Sequence, residues 1–363
     1  MSERYRKTWY EINLDDLASN THRLRLVHEA RALIAVVKAD AYGHGALKVV
    51  ERLRQEGLTF FAVSLLEEAL ELRAKFKDIT VLVMGVINPE DLPLLEQHDI
   101  VFTISDHAIF EAVKAYPGAL RFHIKFDSGM NRLGFKHATD VKKVMDAFAT
   151  LPHKQVEGLY SHLATSDGDD AFVAWQFERF KAVLDVLPHP PPVVHLSNTS
   201  AWLKHEATFN SFTHARIGIG LYGYTLEPVD YGLVPIGTLK TVVSQIKKLN
   251  TGEYLGYGIT YQASEPTRIA VLPIGYADGW IRQHKGHDVL IKGRRYPIIG
   301  NICMDQLFVK IDDSIKLGEA VVLMGPGGLD ANAIASHLHT INYEVLCSIS
   351  SRVPRIYIEE AKP

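Results

Sequence analysis

Cysteine is nearly absent. The 363-residue chain has only Cys303 and Cys347. They are too few for a disulfide framework, which points to a reducing, cytoplasmic setting. No apolar run is long enough to span a bilayer. The stretch MSERYRKTWYEINLDDL puts charges where a secretory signal needs an apolar centre. The net charge is only −3, so neither nucleic acid nor an anionic membrane is an expected partner. Low-complexity tracts and repeats are missing, and no metal site is expected. Also missing is a glycine-rich phosphate fingerprint after the first strand-like run, since Gly43-His44-Gly45 is too short to be one. That absence weighs against an open doubly wound sheet.

What remains is the composition of a soluble globular enzyme, 47% hydrophobic and 22% charged. The length suits two domains. From residue 33 to about 220, short β-like runs alternate with amphipathic stretches such as EEALELRAKF, DVKKVMDAFATL and AFVAWQFERFKAVLDVL. Strands are expected at 33–38, 60–64, 80–85, 101–105, 121–127, 156–163, 193–198 and 215–220. Eight such units call for a closed barrel. After Tyr231 the runs are strand-like and close together, among them LKTVVSQIKKL, RIAVLPIGY and AVVLMG, with one helix at 331–339. The expected fold is α/β: a (β/α)8 barrel domain over 1–231, then a mainly β domain over 232–363, with 221–235 as linker. Which domain the first ten residues pair with stays open.

The chain is organised around residues 33–46, LIAVVKADAYGHGA. An apolar, β-branched run suits a parallel strand buried on both faces, and it ends abruptly at Lys38. Active-site groups of a β/α barrel sit at the carboxyl ends of its strands. A desolvated lysine there can have a pKa low enough to form a Schiff base. By position alone, Lys38 is as readily a solvated strand-end residue. Tyr42, followed by Gly43 and Gly45, tips the reading, because glycines let a ligand approach the backbone. The next stretch, ALKVVERLRQEG, reads as a helix with Leu47, Val50 and Leu53 on one stripe. The string VVKADAYGHG resembles the pyridoxal-phosphate lysine motif of alanine racemases. The resemblance implies that Lys38 carries the cofactor as a Schiff base and that Tyr42 contacts its phosphate.

Further motifs follow in the same order as in that family. In KFDSGMNRLG, Lys125 and Arg132 are two cations near a barrel mouth, which suggests an anion. Gly129 and Gly134 mark a tight loop there rather than a solvated helix face. The resemblance implies that Arg132 meets the substrate carboxylate and the cofactor's phenolic oxygen, and that a carbamylated Lys125 holds Arg132. His162, in LYSHLAT, is by itself more often a structural residue. HLSNTSA, with Asn198 and Thr199, and HARIGIGLYG, with Arg216, Gly218 and Ile219, are similar to the family's cofactor ligands. The Thr199 hydroxyl and the amides of Gly218 and Ile219 would cradle the phosphate. Arg216 would face the pyridine nitrogen. An arginine cannot accept a proton, so that nitrogen stays unprotonated and the electron sink is weakened. This suits a reaction that only removes and returns one proton.

The second domain carries Tyr257 between glycines in EYLGYGITY. A phenol, with a pKa near ~10, needs help to act as a base. The resemblance implies a hydrogen bond from Tyr257 to His162, which in turn touches Arg216. It also assigns Met304, in GNICMDQ, a backbone contact to the substrate carboxylate, with Cys303 and Asp305 beside it. Tyr276, in PIGYADGW, and Tyr343, in INYE, line the entrance, Tyr343 on the cofactor side. Asn301 stands where close relatives often have arginine.

The implied activity is a pyridoxal-phosphate-dependent alanine racemase. It would interconvert L- and D-alanine by two-base proton transfer, with Lys38 on one face and Tyr257 on the other, and supply D-alanine for peptidoglycan. The implied assembly is a head-to-tail homodimer in which Tyr257 and Met304 come from the second subunit. A decarboxylase on the same barrel would put a carboxylate where Arg216 stands. A cofactor-carrying protein without catalysis needs neither Tyr257 nor Met304. A Schiff-base aldolase has no use for Tyr42, Thr199 and Arg216. A racemase for serine or another small amino acid differs only in packing that the sequence leaves undefined.

Overall fold

The computed structural model describes residues 5–29, 31–226, 229–326 and 329–359. Glu227 and Pro228, inside the expected linker, lie outside the described residues, as do both chain ends. A first strand, β1 (Thr8–Asn13), and the helix Leu14–Val27 precede the barrel. The barrel strands are β2 (Ala32–Val36), β3 (Phe60–Val63), β4 (Thr80–Val83), β5 (Val101–Ile104), β6 (Leu120–Lys125), β7 (Lys154–Tyr160), β8 (Val193–His195) and β9 (His214–Ile217). Each pairs in parallel with the next, and β2 closes the ring against β9. Runs such as Phe61-Ala62-Val63 and Val81-Leu82-Val83 are buried on both faces, one toward the barrel interior and one toward the helices. The helix Ala46–Gln55 buries Ala46, Val49, Val50 and Leu53. The stripe is thus turned slightly from the expected one, and Leu47 is half-buried at its edge.

The second sheet contains β10 (Gly237–Val242), β11 (Gln245–Leu249), β12 (Thr267–Leu272), β13 (Asp288–Ile291), β14 (Arg294–Ile299), β15 (Leu307–Lys310), β16 (Ala320–Met324) and β17 (Arg355–Ile358). Its order is β11-β12-β15-β14-β13-β16-β10-β1-β17. The first strand therefore joins the second sheet, antiparallel to β10 and parallel to β17. Among the described residues two α-helices lie in this half rather than the expected one, Ala331–Leu338 and Asn342–Cys347. The second has six residues, too few for a helical period to show in sequence. Among the described residues, no helix is long and apolar enough to cross a membrane.

β2 stops at Val36, two residues before Lys38. The chain then enters a left-handed turn: φ is 51° at Ala39, 52° at Asp40, 53° at Ala41 and 56° at Tyr42. Each such non-glycine residue costs about 1–2 kcal/mol, so the turn must be held from outside. The Glu68 carboxylate accepts the Ala39 N–H at 2.6 Å, and Asp40 accepts the Ala46 N–H at 2.7 Å. Arg355, on β17, donates to the Gly43 carbonyl at 2.9 Å. His44 donates through Nδ1 to the Ala41 carbonyl at 2.9 Å, which leaves Nε2 bare to accept from the Tyr10 hydroxyl at 3.0 Å. Burial pushes the His44 pKa down to about 4, so the ring is neutral. Tyr10→Phe would strand a buried acceptor, and the expected loss is about 1–3 kcal/mol of stability. A lower urea midpoint with an unchanged slope is the predicted reading, and an unchanged midpoint would refute this use of Tyr10.

Candidate active site

At the carboxyl ends of the barrel strands lies a cavity of about 610 Å³. Seven strand ends supply it, with Ser64 after β3 and Met84 and Gly85 after β4. β2 leads to Lys38 and Tyr42, β6 to Lys125 and the Arg132 loop, β7 to His162, β8 to Asn198 and Thr199, and β9 to Arg216, Gly218 and Ile219. Tyr343 reaches the same cavity from the short helix Asn342–Cys347 of the second domain. The β2–β9 register sets Arg216 beside Ile34, next to the strand that ends near Lys38.

The cavity is rich in positive charge. Lys38, Lys125, Arg132 and Arg216 line it, against the single carboxylate of Asp167. Burial, and then the Arg132 charge, lower the Lys38 pKa. Lys125 is pushed down to about 8 by burial and then by Arg216 and Arg132. Arg216 is 3% exposed and is brought down to about 10, chiefly by burial. It donates to His195 Nδ1 at 2.6 Å, to His162 Nδ1 at 3.0 Å, and to the carbonyls of Ser161 at 2.8 Å and Leu196 at 3.0 Å. All are neutral acceptors. The Tyr160 ring lies under Arg216 at 5.2 Å and under Lys125 at 5.3 Å. A desolvated cluster of four cations lined by one carboxylate calls for an anion from outside the chain.

One wall is built from Thr199, Gly218 and Tyr42. Thr199 Oγ1 accepts the N–H groups of Gly218 at 3.2 Å and Gly220 at 3.4 Å. A Cβ on Gly218 would stand 2.4 Å from the Tyr42 hydroxyl, so glycine is what lets the phenol into this corner. Asn198 has a helix-capping part: its Oδ1 accepts the Ala201 N–H at 3.0 Å, and its Nδ2 donates to Ser166 at 2.8 Å. The residues fit a cofactor that carries a phosphate and a group reactive toward an amine.

The remaining expected residues do not line the cavity of their own chain. Tyr257 is 74% exposed, Met304 53% and Tyr276 41%. They are gathered with one another on the second domain. Asn301 Nδ2 donates to the Tyr257 carbonyl at 2.8 Å. The N–H of Tyr276 donates to the Cys303 carbonyl at 3.1 Å, and that of Ala277 to the Met304 carbonyl at 3.0 Å. Asp305 pairs with Arg352 at 2.7 Å. Ile259 has φ 46°, a strained state for a β-branched residue, in the turn that presents Tyr257. Sequence reading missed Tyr160 and the fully buried Gln176, which donates to Ser128 and to the His162 carbonyl at 3.1 Å each. For Tyr160 a signal existed: it stands two before His162, on the same face of the chain's extended run.

A desolvated lysine after the first barrel strand, set among cations at the barrel mouth, is the arrangement of a β/α-barrel enzyme whose site receives an anion. The alanine racemase N-terminal domain matches residues 12–226, and the alanine racemase C-terminal domain matches 236–357. Alanine racemase 1 of Bacillus subtilis is 39% identical over 98% of this chain and 94% of its own length. The crystal structure of alanine racemase from E. faecalis superposes with a TM-score of 0.93 at 35% identity, covering 98% of this chain and 99% of that one. That of the Bacillus anthracis alanine racemase with bound L-Ala-P has a TM-score of 0.91 at 34% identity, covering 99% of this chain and 97% of that one. The chain belongs to the alanine racemase family, whose reaction is an isomerisation.

Only a neutral amine adds carbon dioxide, and with a pKa near 8 the neutral fraction of Lys125 rises with pH through that value. The carbamate charge would face Arg216 and Arg132 instead of repelling them. Carbon-13 NMR under labelled bicarbonate is expected to show a carbamate that grows between about pH 6 and about pH 8 and is missing in Lys125→Ala. A spectrum without it at the upper pH would contradict the assignment.

Proposed function

We propose that this chain interconverts L-alanine and D-alanine with pyridoxal 5′-phosphate held at Lys38, and supplies D-alanine for cell-wall peptidoglycan in the cytoplasm. The observation that carries the proposal is the cation-lined cavity whose buried arginine meets only neutral acceptors. The two free cysteines support the cytoplasmic setting. When bound, pyridoxal phosphate supplies the electron sink that acidifies the substrate Cα–H. Tyr42, Thr199 and the Gly218–Ile219 backbone hold the phosphate, and Asn198 and Tyr343 flank the cofactor. Arg216, which has no lone pair to take a proton, leaves a facing ring nitrogen unprotonated. That favours taking and returning one proton over deeper rearrangement.

Arg132 grips the substrate carboxylate, and the Met304 N–H adds a second contact. Lys38, with its pKa lowered by burial and by Arg132, exchanges the Cα proton on one face, and Tyr257 does so on the other. His162, which accepts from Arg216 at 3.0 Å, would stand between that guanidinium and the partner's phenol and orient it. Tyr257, Met304 and Tyr276 are exposed and grouped on the second domain. This supports a head-to-tail homodimer in which each chain completes its partner's cavity.

Purified protein given L-alanine in deuterium oxide should yield D-alanine with deuterium at Cα. Homodimers of Lys38→Ala or of Tyr257→Phe should be at least ~100-fold slower. Co-expressed, the two variants should recover roughly a quarter of the wild-type rate, since about half the dimers are mixed and each has one complete site. Alanine that stays L and unlabelled, or that releases carbon dioxide, would refute the racemase reading. Verified mixed dimers without activity would refute the shared site.

A further inference from the structure

Two histidines without a part in the proposed chemistry lie behind Arg216. His195 ends β8 and His123 lies within β6, and neither has any exposed surface. Their protonation follows from hydrogen-bond logic. A guanidinium can only donate, so the Arg216 contact to His195 Nδ1 at 2.6 Å requires that nitrogen to be bare. The His195 proton is then on Nε2, which lies 2.9 Å from His123 Nδ1. His123 must accept there, and its own proton is on Nε2, which has no hydrogen-bond partner among the described residues. Burial, more than any neighbouring charge, pushes His123 down to about 3 and His195 well below the usual range, so both rings are neutral.

The strands are built to admit this second ring. The β6–β7 register shifts between Phe122 and His123, so that Phe122 faces Val156 but His123 faces Gly158. Such a bulge re-aims a side chain. A Cβ at residue 158 would stand 2.5 Å from the His123 ring. The Tyr160 ring stacks on His195 at 4.6 Å and 5° and fixes its plane. A leucine at 123 would fill the space without an orphaned N–H. A bulge, a facing glycine and a buried unpaired donor therefore all go with one feature that leucine lacks, the bare Nδ1.

We propose that His123 is a positioning residue for Arg216: by presenting a bare Nδ1 to His195, it holds His195 in the one tautomer that can accept from the guanidinium. Without that acceptor, the His195 proton is free to move to Nδ1, where it meets the Arg216 N–H head-on and displaces the charge from its place in the cavity. The effect on catalysis rests on the racemase reading, whereas the tautomer assignment stands without it.

Nitrogen-15 NMR of histidine-labelled protein reads the tautomers directly. The wild type is expected to show His195 and His123 bare at Nδ1 and protonated at Nε2. Asn can place its Oδ1 near the position of the His Nδ1, so His123→Asn should keep the His195 tautomer and a kcat within about threefold of wild type. His123→Leu removes the acceptor. It should shift the His195 nitrogen signals, change the absorption spectrum of the bound cofactor and lower kcat by more than about tenfold, with a smaller change in KM. The wild-type spectrum alone can overturn the proposal, whatever the variants do, if His195 is protonated at Nδ1. A folded His123→Leu protein with the wild-type His195 signals and kcat would overturn it too, as would His123→Asn and His123→Leu equally impaired.

Discussion

The left-handed turn Ala39–Tyr42 is the constraint on which the rest depends. It reverses the chain right after Lys38 and brings Lys38 and Tyr42 into one cavity. Four non-glycine residues at positive φ together cost on the order of several kcal/mol, so this conformation persists only where its surroundings over-determine it. Those surroundings come from both halves of the molecule. Glu68 holds the turn from the barrel side. Tyr10 through His44, and Arg355 through the Gly43 carbonyl, hold it from the second sheet. The second sheet thus shapes the barrel's own site, apart from any residue it presents to a partner. β1 pairs between β10 and β17, and this sets its Tyr10 against His44.

Charge is the second constraint, and it follows from the first. The turn delivers Lys38 to a cavity that already contains Arg132, Lys125 and Arg216. Like charges in a desolvated place lower one another's proton affinity, and the two lysines are displaced in that direction. Arg216 resists neutralisation because its ordinary pKa is so high, and even at about 10 it stays charged near neutral pH. Its neutral acceptors take its terminal N–H groups but leave its charge uncompensated. The cavity is therefore poised for anionic groups, and a phosphate and a carboxylate are the two the racemase reading brings.

The eight barrel strands were legible because each is a short apolar run bounded by a helical pattern; Lys38, Arg132 and Thr199 follow such runs and Arg216 lies within one, so their place at the cavity was legible too. The handedness of the turn was not. Ala-Asp-Ala-Tyr has nothing in its composition that distinguishes a left-handed turn from a helix start, and the forces that set it come from residues as distant as Arg355. β1 shows a clean alternation of buried and half-buried residues. That pattern predicts a strand with one covered face but not which sheet it joins. His195 and His123 read as lone histidines in apolar strands. Only the facing glycine and the register shift, both products of strand pairing, reveal that they touch.

The central claim is that Lys38 is the group on which the cofactor is carried, and it can be tested without any assay of turnover. Borohydride added to protein incubated with pyridoxal phosphate would reduce a lysine–cofactor linkage to a stable amine, and peptide mass mapping would locate it. The account predicts the pyridoxyl group on the peptide that contains Lys38 and on no other. Its appearance on Lys125 or any other lysine, or a protein that takes up no cofactor, would contradict the account.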